Sequence, residues 1–242
     1  MSPYLYLLVD IGCISIPFLC SFENRILGFH RQLKRVVLGI LLGMLIFIPW
    51  DILFTHLGIW GFNGDYLTGV NLLNLPVEEW LFFICIPYAC LFTYAFIHSR
   101  VKAPENNASS IILWTFSLSM IVPLITCWGQ WYTWSTALAV SVVCALLAKL
   151  IDRRKQRAFL ITYSIILIPF VISNGILTGL EFWEYPLLNL VPEVPDQIVW
   201  YNNDHNFATR IFSIPIEDIF YGFSLIGLCV LGYERLGGKR SS

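Results

Sequence analysis

Charge is what this chain has least of. Only 13% of its 242 residues are Asp, Glu, Lys or Arg, against 57% hydrophobic and 16% aromatic. Ordinary soluble domains carry about 25% charged residues, and a fold of this size still exposes much of its chain. A mean hydropathy of +0.70 therefore places part of the surface in lipid. Other absences close off whole chemistries. There is no GxGxxG, so no Rossmann dinucleotide site is visible, and no GxSxG nucleophile elbow. The four histidines (His30, His56, His98, His205) stand singly, which argues against a multi-histidine metal centre. The last apolar run contains no Lys, so a retinal Schiff base has no support there. The seven cysteines lie in apolar runs without CxxC or zinc-like spacing and read as small buried hydrophobes. With a formal net charge of −1 and no basic block, nothing points to nucleic acid. The N-terminus has no basic n-region and no small-x-small cleavage site, and carries Asp10 inside its apolar run. It is expected to be a first span, not a signal peptide.

What is present is a series of apolar runs. About 20 such residues cross a bilayer as a helix. Seven stretches qualify, at roughly 2–20, 35–54, 77–97, 109–128, 130–149, 158–175 and 214–232. The charges between them sort by sign. Arg25, Arg31 and Lys34 share one connection, Arg100 and Lys102 another, Arg153, Arg154, Lys155 and Arg157 a third, and Arg235, Lys239 and Arg240 the tail. The alternate connections hold Asp65, or Glu181, Glu184, Glu193, Asp196 and Asp204. Cytoplasmic loops collect Lys and Arg. The expectation is an all-α integral membrane fold of seven transmembrane helices, N-terminus outside and C-terminus cytoplasmic.

The third and seventh runs open alike, with LPVEEWLFF from Leu75 and IPIEDIFYGF from Ile214. The run before each contains Ile-Pro-aromatic, at Ile48-Pro49-Trp50 and Ile168-Pro169-Phe170. This divides the chain into a first repeat (1–107, spans 1–3), a linker helix (108–129, span 4) and a second repeat (130–242, spans 5–7). Both units start outside, so the two three-helix repeats run parallel, and a central site lined by both is expected.

Glu78 and Glu79 follow Pro76 as Glu217 and Asp218 follow Pro215. Proline suits the first helical turn, and acids there answer the helix dipole at about 0.3–1 kcal/mol each. That alone would explain one such motif at a membrane surface. Yet adjacent helix positions lie about 100° apart, so one acid of each pair must face the bundle. An acid at membrane depth costs roughly 2.5–3.5 kcal/mol, more than the dipole returns. Carboxyls crowded in low dielectric cannot all ionise, which supplies an acid and a base together. Asp51 lies near the end of its span, either as an interfacial acid or as part of this group. By alignment its counterpart is Val171, with Asn174 one turn further on. Arg210, the only basic residue of the acidic connections, is either a partner for Glu217 or Asp218 or a surface arginine. Trp50, Trp60, Trp80, Phe82, Phe83, Phe220 and Tyr221 flank the acids and suit either packing or stabilisation of a carbocation by their π faces.

The stretches IPWDILFTHLGIWGFN…LPVEEWLFFICIPY and NGILTG…NNDHNFATRIFSIPIEDIFYGF resemble the two domains of the membrane-integral lycopene cyclases. That family occurs as paired small subunits, as fused single chains and as the N-terminal part of a bifunctional fungal protein, and this sequence is similar to the fused form. The resemblance implies cofactor-independent cyclisation of the ψ-ends of lycopene to β-ionone rings, through γ-carotene to β-carotene. It also implies Glu78, Glu79, Glu217 and Asp218 as the acidic residues, with Glu-Asp in the second motif where Glu-Glu is usual. Lycopene and the bilayer are the implied partners, alongside other carotenoid-pathway enzymes, in a multi-pass protein of the cell (inner) membrane. No metal is expected. Two other readings stay open at this point, a meroterpenoid-type membrane cyclase acting on epoxides and a small proton-coupled transporter.

Overall fold

A computed structural model describes residues 3–25, 27–190 and 193–236. Ser2 of the first expected span, and Lys239 and Arg240 of the basic tail, lie outside the described residues.

Helices dominate: α1 (Leu5–Ser21), α2 (Leu33–His56), α3 (Val77–Arg100), α4 (Ala108–Ser119), α5 (Ile121–Thr126), α6 (Trp131–Leu150), α7 (Arg153–Thr178) and α8 (Ile216–Arg235). Six segments are long and apolar enough to cross a membrane, with α4 and α5 counted as one segment. α1 is also apolar but has only 17 residues. The expected fourth span is broken at Met120. Pro123 lacks the N–H that would bond to the Ser119 carbonyl and its ring crowds that group, so the helix parts one turn earlier. Pro17, Pro49, Pro87 and Pro169 are carried inside helices, as packed membrane helices tolerate. Many of the most exposed side chains are apolar, among them Ile16, Leu19, Leu45, Ile125 and Ile168, as lipid-facing positions require.

The all-α expectation needs one correction. The two acidic connections fold into short antiparallel strands, β1 (Trp60–Phe62), β2 (Asn71–Leu72), β3 (Leu75–Pro76), β4 (Val199–Tyr201), β5 (Arg210–Ile211) and β6 (Ile214–Pro215). Each position in the second set lies 139 residues after its partner, from Trp60 and Val199 through to Glu79 and Asp218. β2–β3 pairs Asn71 with Pro76 and Leu72 with Leu75, while β5–β6 pairs Arg210 with Pro215 and Ile211 with Ile214. Leu73 and Phe212 share a positive φ, as do Gly69 and Ala208. Asn63 and Asn202 each accept from the backbone N–H two residues on. β1 and β4 pair with each other, Trp60 to Tyr201 and Phe62 to Val199, a self-complementary register centred on Gly61 and Trp200. Asn63 N–H donates to Ile198 O and Asn202 N–H to the equivalent Ile59 O, at 2.8 and 2.9 Å. A two-fold relation between the loops requires this pattern.

In the bundle below, α1 packs on α3 and α6 on α8, while α2 reaches across to α8 and α7 to α3. At the opposite, basic end, buried Glu234 ties the halves together. It bonds Arg35 at 3.1 Å, Lys155 at 3.1 Å and the Tyr94 hydroxyl at 3.2 Å.

Candidate active site

The helices α3 and α8 start immediately after β3 and β6, so each hairpin delivers its acid pair at the mouth of a helix. The two members of each pair then part company. Glu78 Oε1 accepts the Thr68 N–H at 2.7 Å, and Glu217 Oε1 accepts the equivalent Phe207 N–H at 2.8 Å. Glu217 also accepts the Thr133 hydroxyl at 2.6 Å. These first acids bind down the loops above them, and neither lines the main cavity. The second acids, Glu79 and Asp218, both line it.

That cavity has a volume of about 650 Å³ and an almost wholly apolar wall. It runs beside α1 from Tyr6 to Pro17, twelve residues or about 16 Å of helix. α3, α7 and α8 supply most of the remaining helical wall through residues such as Phe82, Cys90, Ile166 and Tyr221, and α2 and α6 add Asp51 and Tyr132. Leu8, Ile16 and Ile172 line it and are also exposed, at 56, 72 and 55%. The cavity therefore opens sideways between α1 and α7, toward the lipid-facing surface.

At its closed end each acid is held differently. Glu79 accepts the Tyr6 hydroxyl at 2.5 Å and lies within hydrogen-bonding reach of the Asp51 carboxyl. Asp51 Oδ1 accepts Trp60 Nε1–H at 2.6 Å and the Thr55 hydroxyl at 3.3 Å. Its Oδ2 has no N–H or O–H donor. Two carboxyls in such contact bond to each other only through a proton that one of them carries. Asp218, by contrast, has donors alone: Tyr132 hydroxyl at 2.5 Å, Asn174 Nδ2 at 2.7 Å and Tyr201 hydroxyl at 2.8 Å. Burial and the Asp218 carboxylate beside it push the Tyr201 phenol far above its usual range, which keeps it a donor. Aromatic rings close the space: Trp60 packs on Tyr132 at 5.1 Å and on Tyr221 at 6.0 Å, and Tyr132 stacks on Tyr201 at 5.8 Å.

The other expected site residues are placed as follows. Asp51 and Asn174 are both at the site, each beside the second acid of its own half. Asn174, not Val171, is thus the counterpart of Asp51, and Thr178 that of Thr55, since a contact and not the proline spacing sets the match. Trp60 and Tyr221 line the cavity. Trp50 lies one layer out, packed on Tyr221 at 5.1 Å. Trp80 donates to Leu72 O at 3.2 Å on the hairpin, Phe83 is sealed in the core, and Phe220 faces a smaller pocket on the far side of α8 that also holds Glu217. Arg210 is 1% exposed, not a surface arginine, and it forms no ion pair with Glu217 or Asp218 among the described residues. It donates to Ser213 O at 2.7 Å and Asn203 Oδ1 at 3.2 Å, and lies over the Tyr201 ring at 5.8 Å. It braces the β5–β6 hairpin against the turn that follows Tyr201. Burial draws its pKa down, against the opposing pull of Tyr201 and Asp218.

Three tyrosines went unmarked in the sequence: Tyr6, Tyr132 and Tyr201. The signal was faint but present. Tyr6 stands two residues into α1 and Tyr132 two into α6, and each donates to the second acid of its own half.

A family model described as Lycopene cyclase matches residues 3–97 and 129–236, and is interrupted over the stretch that carries α4 and α5. A bifunctional lycopene cyclase/phytoene synthase of Arthroderma gypseum is 29% identical over 74 residues, which are 31% of this chain and 12% of that protein. The aligned stretch is thus a small part of that relative's length. No solved structure matches the chain. With the family model spanning both motifs and nearly all the bundle, the chain belongs to the lycopene cyclase family.

Proposed function

We propose that this chain is a cofactor-independent lycopene β-cyclase of the cell (inner) membrane. One observation carries it: the two second acids, Glu79 and Asp218, meet at the closed end of an apolar, aromatic-walled cavity that opens to lipid. A long hydrocarbon enters such a cavity from the bilayer, and its end reaches both acids.

The Glu79–Asp51 pair is the acid. It delivers a proton to C2 of the terminal double bond, leaving a tertiary cation at C1. The C5=C6 bond attacks, the C1–C6 bond forms, and the charge moves to C5. Asp218, held by three donors, is the base and takes a proton from C6, giving the β-ring double bond. One proton is lent and one recovered, with no electrons moved. Trp60, Tyr132 and Tyr221 present ring faces to the cation, and the apolar wall keeps out water that would trap it. Removal of the C4 proton instead would give an ε-ring, so the position of Asp218 relative to C6 decides the product.

The wider arrangement follows from the same reading. α1 crosses the membrane as a seventh span, the strand-bearing end faces outside, and the C-terminus lies in the cytoplasm. Residues 1–107 and 130–242 are parallel three-helix units, with 108–129 between them. The equivalent hairpins and the break in the family match support that division.

The test is expression in lycopene-accumulating cells followed by chromatography of the pigments. The wild type is expected to yield γ- and β-carotene, while Glu79→Gln and Asp218→Asn leave lycopene unchanged. Full cyclisation by either variant would remove that residue from the mechanism, and lycopene untouched by the wild type would end the cyclase reading.

A further inference from the structure

One acid in the bundle has no task in this mechanism. Asp10 lies on α1, is 1% exposed, and neither of its carboxyl oxygens has a hydrogen-bond partner. No salt bridge among the described residues includes it. Nature seldom leaves a carboxyl bare inside a membrane protein without a use for it. Asp10 stands four residues after Tyr6, so it sits one turn deeper on the same face of α1. It is not part of the cavity wall, although Val9 and Gly12 are. α1 packs on α3, and the acids that Asp10 interacts with electrostatically are Glu78 and Glu79, both on α3. Glu78 Oε2 is likewise buried and without a partner.

The second half repeats the niche with different chemistry. Thr136 stands four residues after Tyr132, as Asp10 does after Tyr6. The hydroxyl of Thr136 is unpartnered and so is Glu217 Oε2, and both line the small pocket behind α8. A carboxyl therefore occupies the position only in the half whose second acid is the proton donor. Beside Asp218, the base, the position holds a hydroxyl.

We infer that Asp10, with Glu78, is the proton-return route that reloads Glu79 between cyclisations. The inference rests on the cyclase reading above. Each ring closure moves one proton from the Glu79–Asp51 pair to Asp218, so the next round requires Asp218 to lose it and Glu79 to regain one. Glu78 is anchored to the loop at Thr68 with its other oxygen buried and free, and the charge of Asp10 acts on both Glu78 and Glu79 across the α1–α3 contact. Glu78 passes a proton to Asp10 and Asp10 passes one to Glu79, while Glu78 takes a replacement from water at the outer loop and Asp218 gives its proton up to water, so Glu78 and Asp10 end as they began and both second acids are reset. Tyr6, which donates to Glu79, fixes the recipient's orientation.

Asp10 touches no reacting atom, so it shows in turnover number and not in the first ring closure. The experiment uses the full chain in lipid nanodiscs with lycopene, once with enzyme in excess and once with lycopene in excess. For Asp10→Asn the first ring is expected to form at the wild-type rate within about twofold, while steady turnover falls at least about tenfold. Asp10→Glu is expected to restore turnover, and Asp10→Thr, which copies Thr136 and keeps the packing, to behave like Asp10→Asn. Steady turnover within twofold of wild type in either the Asn or the Thr variant overturns the inference. So does equal loss of the first ring and of steady turnover in both, because that marks a structural role. Failure of the wild type to cyclise lycopene is a separate result, which defeats the cyclase reading itself.

Discussion

Two helix seams cross the middle of the bundle, each made by one half reaching into the other, and they differ in how close the backbones come. In the α2–α8 seam the contact is glycine. A Cβ on Gly39 would lie 2.5 Å from the Cys229 carbonyl, one on Gly43 2.7 Å from Cys229 Sγ, and one on Gly232 2.8 Å from Gly39 Cα. The helices pack backbone to backbone, as small residues permit in membranes. In the α7–α3 seam the equivalent positions, aligned through Asp51 with Asn174 and through Glu79 with Asp218, are Thr162, Ile166 and Thr93, while Cys229 corresponds to Cys90. Larger side chains hold those helices apart, and Ile166, Cys90 and Thr93 line the cavity. The two seams occupy equivalent positions of the two halves. Three glycines close one, and the larger residues at the matching positions leave a cavity in the other.

The acids differ in the same directional way. The half that ends in Glu79 surrounds it with another carboxyl, while the half that ends in Asp218 surrounds it with donors. The largest expected effect comes from removing either second acid. Glu79→Gln and Asp218→Asn should each lower ring formation by about 10²–10⁴-fold, measured as β-carotene formed per enzyme. Glu217→Gln, which weakens the Thr133 and Phe207 bonds, should leave ring formation within about tenfold of wild type and destabilise the fold by about 1–3 kcal/mol. Equal loss from Glu217→Gln and Asp218→Asn would dissolve the distinction between first and second acids.

Making the halves alike tests the comparison directly. Asp51→Asn copies Asn174 into the first half and takes the carboxyl partner from Glu79, so ring formation should drop by about 10²-fold with the fold intact. Gly43→Ile copies Ile166 into the closed seam, where the Cys229 sulfur and the Leu225 methyl already fill the space. It should cost about 1–3 kcal/mol, read as a fall in thermal unfolding temperature in detergent. The smallest effect is expected in the loops. Ala208 holds φ +51° where its equivalent is Gly69 at +81°. Ala208→Gly should relieve roughly 1 kcal/mol of left-handed strain, offset in part by added freedom in the unfolded chain. The net change is a small rise in unfolding temperature, and activity should stay unchanged.

Much of this was legible in the sequence. Apolar runs marked seven spans, of which six are helices long and apolar enough to cross a membrane and the first, α1, has only 17 residues, and Pro-x-acid-acid marked the start of α3 and α8. The repeat was visible too, since it is written in order along the chain. Several particulars were not. Val171 is the nearest match to Asp51 by proline spacing, yet Asn174 makes the equivalent contact, because the helix end and not the proline sets the depth of the side chain. The strands at Trp60–Phe62 and Val199–Tyr201 are only three residues each and pair with each other across the two halves, so no local pattern could signal them. Tyr6 and Tyr132 looked like ordinary aromatic residues at helix starts.

Composition and linear order were enough to show long apolar helices fit for a membrane, a repeated Pro-x-acid-acid motif, and carboxyls at two equivalent helix heads. Which member of each pair faces the cavity follows from packing between distant segments. Adjacent residues point about 100° apart on a helix, and the choice between them depends on where α1, α6 and the hairpins pack. That packing also decided that Glu79 meets another carboxyl while Asp218 meets only donors, since those neighbours come from helices far away in the chain.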